Sequence, residues 1–326
     1  MRASRLSPFG FALAAAAGAL ALLAPIAALN LTMDPYSVAN GAWYRLRSPG
    51  YDPVGDIASD GGATARTRMV ARSQVPVLLL GTSRVQQGFR TDPERIFNGG
   101  QSAASLEDLV RIMEAAADRP VPPRAYVMEL AAIISVPAQR RATATADFPK
   151  IGPRLLATTT THVSIHLLRH WAIGFSGERD DFFLPLPPPA QPVKVQRATD
   201  AQVRPSLLPE TGAAGNLKRL MRRALALCAR SGAQLILFEA PVHPDRLADP
   251  RVARNVAART AAYGAELDAL GPSYPRCRAM LVDYSGRDRA GAIPQTRDPM
   301  QWLDPLHFRP DVGAAMVRRV EPLIGR

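Results

Sequence analysis

The sequence predicts an α/β fold: a three-layer, doubly wound, parallel five-stranded sheet with an insertion between strands 3 and 4 and an N-terminal transmembrane helix. Three observations carry that expectation. From Val75 onward, short apolar runs alternate with longer segments of helical period, the order expected of βα units. Runs such as Val77 to Leu80 are continuously apolar, the pattern of strands buried on both faces. Positions 6 to 33 carry no charge, and Gly10 to Leu29, dominated by Ala and Leu, reaches the roughly 20 residues that cross a hydrocarbon core as a helix.

Arg2 and Arg5 precede this apolar run and Asp34 follows it, so the positive-inside rule keeps the N-terminus cytoplasmic and sends the remainder outward. A cleaved signal peptide is the rival reading, with a cleavage site among the alanines near Ala24 to Leu29. The run exceeds the roughly 7 to 15 residues of a signal core, which favours a retained anchor. The expected organisation is a cytoplasmic tip and anchor over 1–33, a polar stalk over 34–74, and one α/β domain over 75–326 in which 131–211 form an insertion or cap. That organisation describes a single-pass protein of the inner (cytoplasmic) membrane with its globular part in the periplasm. Trp43 and Tyr44 sit either at the membrane interface or on the domain.

A chain of 326 residues is long enough to bury a full core. Its formal net charge of +12 attracts anionic surfaces by long-range electrostatics, unless the arginines reflect compositional bias alone. Outside the cytoplasm nucleic acid is not an expected partner, and acidic polysaccharide or lipid headgroups fit better.

Val77 to Leu80 is the first strand, and it breaks at Gly81 into the turn Thr82-Ser83-Arg84. Ser83 then stands at the carboxyl edge of the sheet, where ligands of open α/β folds bind. It reads either as a nucleophile or as the cap of the following helix, since Ser is a preferred N-cap. Arg95 to Phe97 makes a short second strand ending in Asn98-Gly99-Gly100. Ser105 to Ala117 has apolar residues at helical spacing, opened by a near capping box of Ser105 and Asp108. Ala125 to Leu130 is the third strand, with Glu129 near its end as a paired strand-end carboxylate or a site residue.

Leu217 to Arg230 and Val252 to Leu270 are amphipathic helices flanking a fourth strand, Leu235 to Phe238. His243 follows that strand at the same edge, as a substrate-lining or structural residue. Ala279 to Tyr284 is the fifth strand, and Val312 to Leu323 closes the chain as a helix. Near the end, Asp304 and His307 lie three residues apart. A serine hydroxyl needs a base to take its proton, and the base needs a partner that fixes its tautomer. Ser83, His307 and Asp304 supply those three roles, and Arg84 beside the serine is a further substrate-lining candidate.

Gly81-Thr82-Ser83, Asn98-Gly99-Gly100 and Asp304-Pro305-Leu306-His307 resemble the first, second and last blocks of the SGNH (GDSL-like) hydrolase superfamily. They are most similar to its membrane-tethered extracytoplasmic branch, which includes relatives of alginate O-acetylation and teichoic acid D-alanylation proteins. The resemblance spans roughly residues 75 to 325. It implies an oxyanion hole formed by the Ser83 N–H, the Gly100 N–H and the Asn98 side chain. It also implies a carbohydrate or other acylated envelope substrate, and for a transferase a membrane-bound acyl-donor protein. Thr82 stands where the usual first block has aspartate, and the Gly-x-Asn-Asp block after the third strand is absent.

His162, His166 and His170 share roughly one face of a helix, a spacing that admits a metal, but no carboxylate or cysteine accompanies them. No metal or organic cofactor is expected. Cys228 and Cys277 are the only cysteines, and outside the cytoplasm such a pair can oxidise to a disulfide. The resulting expectation is a membrane-anchored serine esterase or O-acyltransferase acting on envelope or exported polysaccharide through an acyl-Ser83 intermediate. The alternative is a non-catalytic envelope protein that keeps the fold and binds a glycan or an assembly partner.

Overall fold

A computed structural model describes residues 7–33, 62–89, 91–92, 95–101, 104–131, 134, 156–158, 160–161, 164–165, 168, 213–286, 301–303 and 306–324. Strands β1 (Val77–Gly81), β2 (Ile96–Gly100), β3 (Ala125–Glu129), β4 (Gln234–Glu239) and β5 (Arg278–Asp283) form one sheet in the order β2-β1-β3-β4-β5. Every neighbouring pair is parallel. The helices are α1 (Pro8–Met33), α2 (Gly62–Arg72), α3 (Ser83–Gly88), α4 (Leu106–Ala117), α5 (Ala213–Ser231), α6 (Pro244–Leu247), α7 (Pro250–Leu270) and α8 (Pro310–Val320). This is the doubly wound α/β architecture expected from the alternation of patterns, preceded by an apolar N-terminal helix.

Alternate residues of each strand feed opposite faces of the sheet. Leu78, Leu80, Tyr126, Met128, Leu235 and Leu237 pack with Val70 of α2, Met113 of α4 and Leu225 of α5. On the other face, Val77, Leu79, Val127, Ile236 and Phe238 pack with Val85 of α3 and Val312 and Met316 of α8. Because both faces are covered, every residue of β1, β3 and β4 is buried, which explains the unbroken apolar runs. Cys228 of α5 and Cys277, just before β5, are joined in a disulfide with their Cα atoms 5.2 Å apart.

Two elements differ from the sequence expectation. The second strand does not end at Phe97: Asn98 to Gly100 continue it, paired with Leu79 to Gly81. The missing side chain at Gly100 permits this, because a Cβ there would overlap the backbone of Gln86 in α3. Within the expected stalk, Gly62–Arg72 is a helix of the globular body. Met69 and Val70 are buried, and the Arg66 guanidinium, itself buried, donates through Nη1 to Asn98 O at 2.8 Å. The arginines gave this segment a polar composition that hides its two core residues.

α1 is long and apolar enough to cross a membrane. Its side chains are exposed over most of its length, as at Phe9, Phe11 and Leu20, but Asn30 and Met33 at its end are 1% and 3% exposed. Asn30 Nδ2 donates to Thr161 Oγ1 at 2.9 Å. The tip around Arg2 and Arg5, Trp43, Tyr44, most of 131–211 with His162, His166 and His170, and Asp304 lie outside the described residues.

Candidate active site

The order β2-β1-β3 means that the chain leaves β1 for one side of the sheet and later returns on its other side. At such a switch point the carboxyl ends of the strands open into a crevice. β1 delivers its last residue, Gly81, to that edge, and α3 starts two residues later. Thr82 is the cap of α3: its Oγ1 accepts the Arg84 N–H at 3.3 Å, and its carbonyl accepts the N–H groups of Val85 and Gln86 at 3.0 and 3.1 Å. The capping role therefore falls one residue before Ser83, and the Ser83 hydroxyl is left for other work.

That hydroxyl meets the far end of the chain. His307 Nε2 lies 2.8 Å from Ser83 Oγ, across 224 residues of sequence. The loop carrying His307 is closed by an antiparallel bridge between Trp302 and Phe308, by the Leu303 N–H donating to His307 O at 2.8 Å, and by the Arg309 N–H donating to Gln301 O at 2.9 Å. Trp302 and Phe308 are almost completely buried and anchor both sides of the loop. Phe308 stacks edge-on against Phe89, with ring centroids 5.5 Å apart, and lies so close over Gly88 that a Cβ there would overlap its ring. Core packing thus fixes where the imidazole sits. With Nε2 as acceptor and Nδ1 carrying the proton, the imidazole is placed to take the serine proton.

Beneath the serine turn lies a buried ionic network that sequence reasoning did not assemble. Glu129, at the end of β3 and fully buried, accepts the Thr82 N–H at 2.6 Å and the Thr82 hydroxyl at 2.9 Å through Oε2. Its Oε1 is 2.6 Å from Arg84 Nε, an ion pair rather than an aligned hydrogen bond. Both neighbours of Ser83 are therefore held by one carboxylate. Gly81 has no side chain for the same reason, since a Cβ there would collide with Val85 and Glu129.

The next strand end repeats the device. Glu239, buried at the end of β4, is gripped bidentately by Arg259 of α7, with Nε to Oε2 at 2.7 Å and Nη2 to Oε1 at 2.6 Å. Arg84 Nη1 stands 3.8 Å from Glu239 Oε1. Burial opposes the Arg259 charge, but the Glu239 carboxylate, its hydrogen bonds and then the Glu129 charge outweigh it and hold the guanidinium above its ordinary pKa. Two carboxylates and two guanidiniums thus sit under the turn with no net charge.

The other expected site residues are placed differently. Asn98 Nδ2 donates to Val85 O at 3.3 Å and Phe89 O at 3.0 Å, and Asn98 Oδ1 accepts the Gly100 N–H at 3.0 Å. The Asn98 NH2 group is thereby spent on holding β2 to α3 and the Gly100 N–H on Asn98 within β2, and neither is a free donor for an oxyanion. His243 does not line the crevice. It is 2% exposed, caps α6 by accepting the Asp245 N–H on Nδ1 at 3.2 Å, and packs its ring on Trp302 at 4.9 Å. Glu129 likewise presents no surface to a ligand, whereas the Arg84 side chain keeps 16% of its surface exposed. Gln101 was not foreseen: its N–H donates to Gly81 O at 3.0 Å, and its buried Oε1 has no hydrogen-bond partner among the described residues. Among the described residues, no group of three His, Cys, Asp or Glu side chains converges to hold a metal ion.

No protein-family model and no curated protein matches the sequence. Among solved structures the chain is similar to LAE5, an alpha/beta hydrolase enzyme from the metagenome of Lake Arreo, Spain, at 12% identity and a TM-score of 0.38. That match covers 76% of this chain and 94% of the other.

Proposed function

We propose that the chain is a serine esterase or O-acyltransferase of the SGNH type, tethered to a membrane by α1, that forms an acyl intermediate on Ser83. The observation that carries this reading is the 2.8 Å contact between His307 Nε2 and Ser83 Oγ at the carboxyl edge of the sheet. A positioned base within hydrogen-bond reach is the first requirement for making a hydroxyl nucleophilic. In this scheme His307 takes the Ser83 proton, then gives it to the leaving group. Asp304 orients the imidazole, and water or a sugar hydroxyl resolves the acyl-enzyme. The substrate is an acylated envelope or exported polysaccharide, with a membrane-bound acyl-donor protein as the partner of a transferase. The net charge of +12 favours an acidic polymer.

Retention of α1 as an anchor is supported by its docked end. Cleavage of a leader near residues 24–29 would break the helix just before Asn30 and Met33, the residues it buries against the domain. The inner membrane, with the domain on the periplasmic side, is the location that fits the arginines before the span.

The test is covalent labelling by a fluorophosphonate probe together with turnover of p-nitrophenyl acetate by the full-length protein. Ser83→Ala is expected to abolish both. His307→Asn is expected to lower turnover by about a thousandfold or more, the scale seen when a triad member is lost. A native protein silent in both assays sinks the enzymatic reading. The commitment of the Asn98 and Gly100 donors to the turn would then favour the non-catalytic, glycan-binding alternative.

A further inference from the structure

We infer that Arg84 is the side-chain donor that stabilises the oxyanion, with Glu129 as the residue that positions it. The inference rests on the reading of Ser83 as a nucleophile. When Ser83 Oγ bonds to an ester carbonyl carbon, its proton passes to His307 Nε2 and the carbonyl π pair moves onto oxygen. That oxygen needs donors already in place, usually the largest single contribution to the rate of acyl transfer. Collapse of the tetrahedral species returns the pair, breaks the bond to the leaving oxygen, and hands that oxygen the proton from His307.

Of the donors near the turn, the Gly100 N–H and both N–H bonds of the Asn98 amide are already engaged within the protein. The position at the end of β3 holds Glu129, an acceptor whose charge repels an oxyanion. Arg84 reverses that sign. Its Nε is tied to Glu129, and its Nη1 stands beyond hydrogen-bond distance, 3.8 Å, from a Glu239 oxygen already bonded to Arg259. Its Nη1 and Nη2 groups make no hydrogen bond to the described residues, and the side chain keeps 16% of its surface exposed.

A guanidinium carries five N–H donors in a rigid fork and keeps its proton at any working pH. The ion pair at Nε leaves the Nη donors without a hydrogen bond to the described residues, next to the nucleophile in sequence. Glu239 does not compete for it, because Arg259 grips that carboxylate on both oxygens. The charges of buried Glu129, Glu239 and Arg259 and of half-buried Arg84 cancel, so the negative charge that develops on substrate meets Arg84 without net repulsion.

The experiment is steady-state hydrolysis of p-nitrophenyl acetate by the full-length protein and its Arg84→Gln, Arg84→Ala, Arg84→Lys and Glu129→Gln variants, each checked for folding by circular dichroism and thermal unfolding. Arg84→Gln is expected to lose about a hundredfold to a thousandfold in kcat, the cost of one oxyanion donor. KM should stay within about threefold, since the interaction exists only in the transition state. Methylguanidine should restore part of the lost rate in Arg84→Ala, which a structural role would not allow. Glu129→Gln should lose kcat less severely and gain nothing from methylguanidine.

Unchanged kcat in Arg84→Gln, or a change confined to KM, overturns the assignment. Were Arg84→Gln and Arg84→Ala not to fold, Arg84→Lys keeps the charge and loses the fork, and wild-type kcat in that variant overturns the assignment equally. A native protein that neither labels nor turns over sinks the nucleophile reading and this inference with it. A native protein that labels, beside an Arg84→Gln variant that turns over at the native rate, sinks this inference alone.

Discussion

At Ser83 the outcome turns on which neighbour does which job. Thr82 takes the helix cap and donates its hydroxyl and N–H to Glu129, so Ser83 Oγ is free to meet His307. Arg84 and Thr82 both lean on one buried carboxylate, which fixes the serine turn from both sides. The Glu239–Arg259 pair below it is fully buried, and removing one member of such a pair strands the other. Arg259→Met is therefore expected to destabilise the fold by about 3–5 kcal/mol, measured by urea unfolding. Pairing it with Glu239→Leu should recover much of that loss, because no uncompensated charge then remains. A single variant as stable as the native protein would show that Arg84, whose Nη1 lies 3.8 Å from Glu239, compensates that carboxylate by itself.

Among the elements, α8 and the loop before it decide where the imidazole stands. α8 packs on α3, the helix that Ser83 opens, and Gly313 lies so close to the Gly88 carbonyl that a Cβ would overlap it. Gly313→Ala must push α8 off α3, carrying Phe308 and the His307 loop with it. The expected cost is about 1–3 kcal/mol, the range for overpacking, with a fall in Ser83 labelling rate. Native labelling in a destabilised Gly313→Ala protein would mean that the loop holds its place without α8. His243 contributes at this scale as well, since its ring backs Trp302, one of the two anchors of the loop.

For the molecule as a whole, two long-range ties stand out. The Cys228–Cys277 disulfide, with its cysteines 49 residues apart, closes a loop that holds β4, α6 and α7 and ends just before β5. Loop-closure entropy sets its contribution at about 4 kcal/mol, so reduction should lower the urea midpoint accordingly, while an unmoved midpoint would show the loop already ordered in the unfolded chain. The second tie is the docked end of α1 at Thr161. Membrane fractions are expected to retain the protein with its N-terminal segment intact by terminal sequencing. A mature chain beginning near residue 30 would identify α1 as a cleaved leader.

Burial on both faces of a parallel sheet leaves a mark in composition. For that reason the five strands, four of the flanking helices and the apolar N-terminal helix were legible in the sequence by itself, and Ser83 and His307 stood out as a nucleophile and a base. Only the tertiary structure decided that they touch, that Glu129 serves Thr82 and Arg84 rather than a ligand, that the Asn98 and Gly100 donors are spent, and that α2 belongs to the body. The reason is physical: an apolar run declares its own burial locally. Which carboxylate meets which cation is fixed by strand order and helix packing, between residues that lie as far apart in the chain as Thr82 and Glu129 or Ser83 and His307.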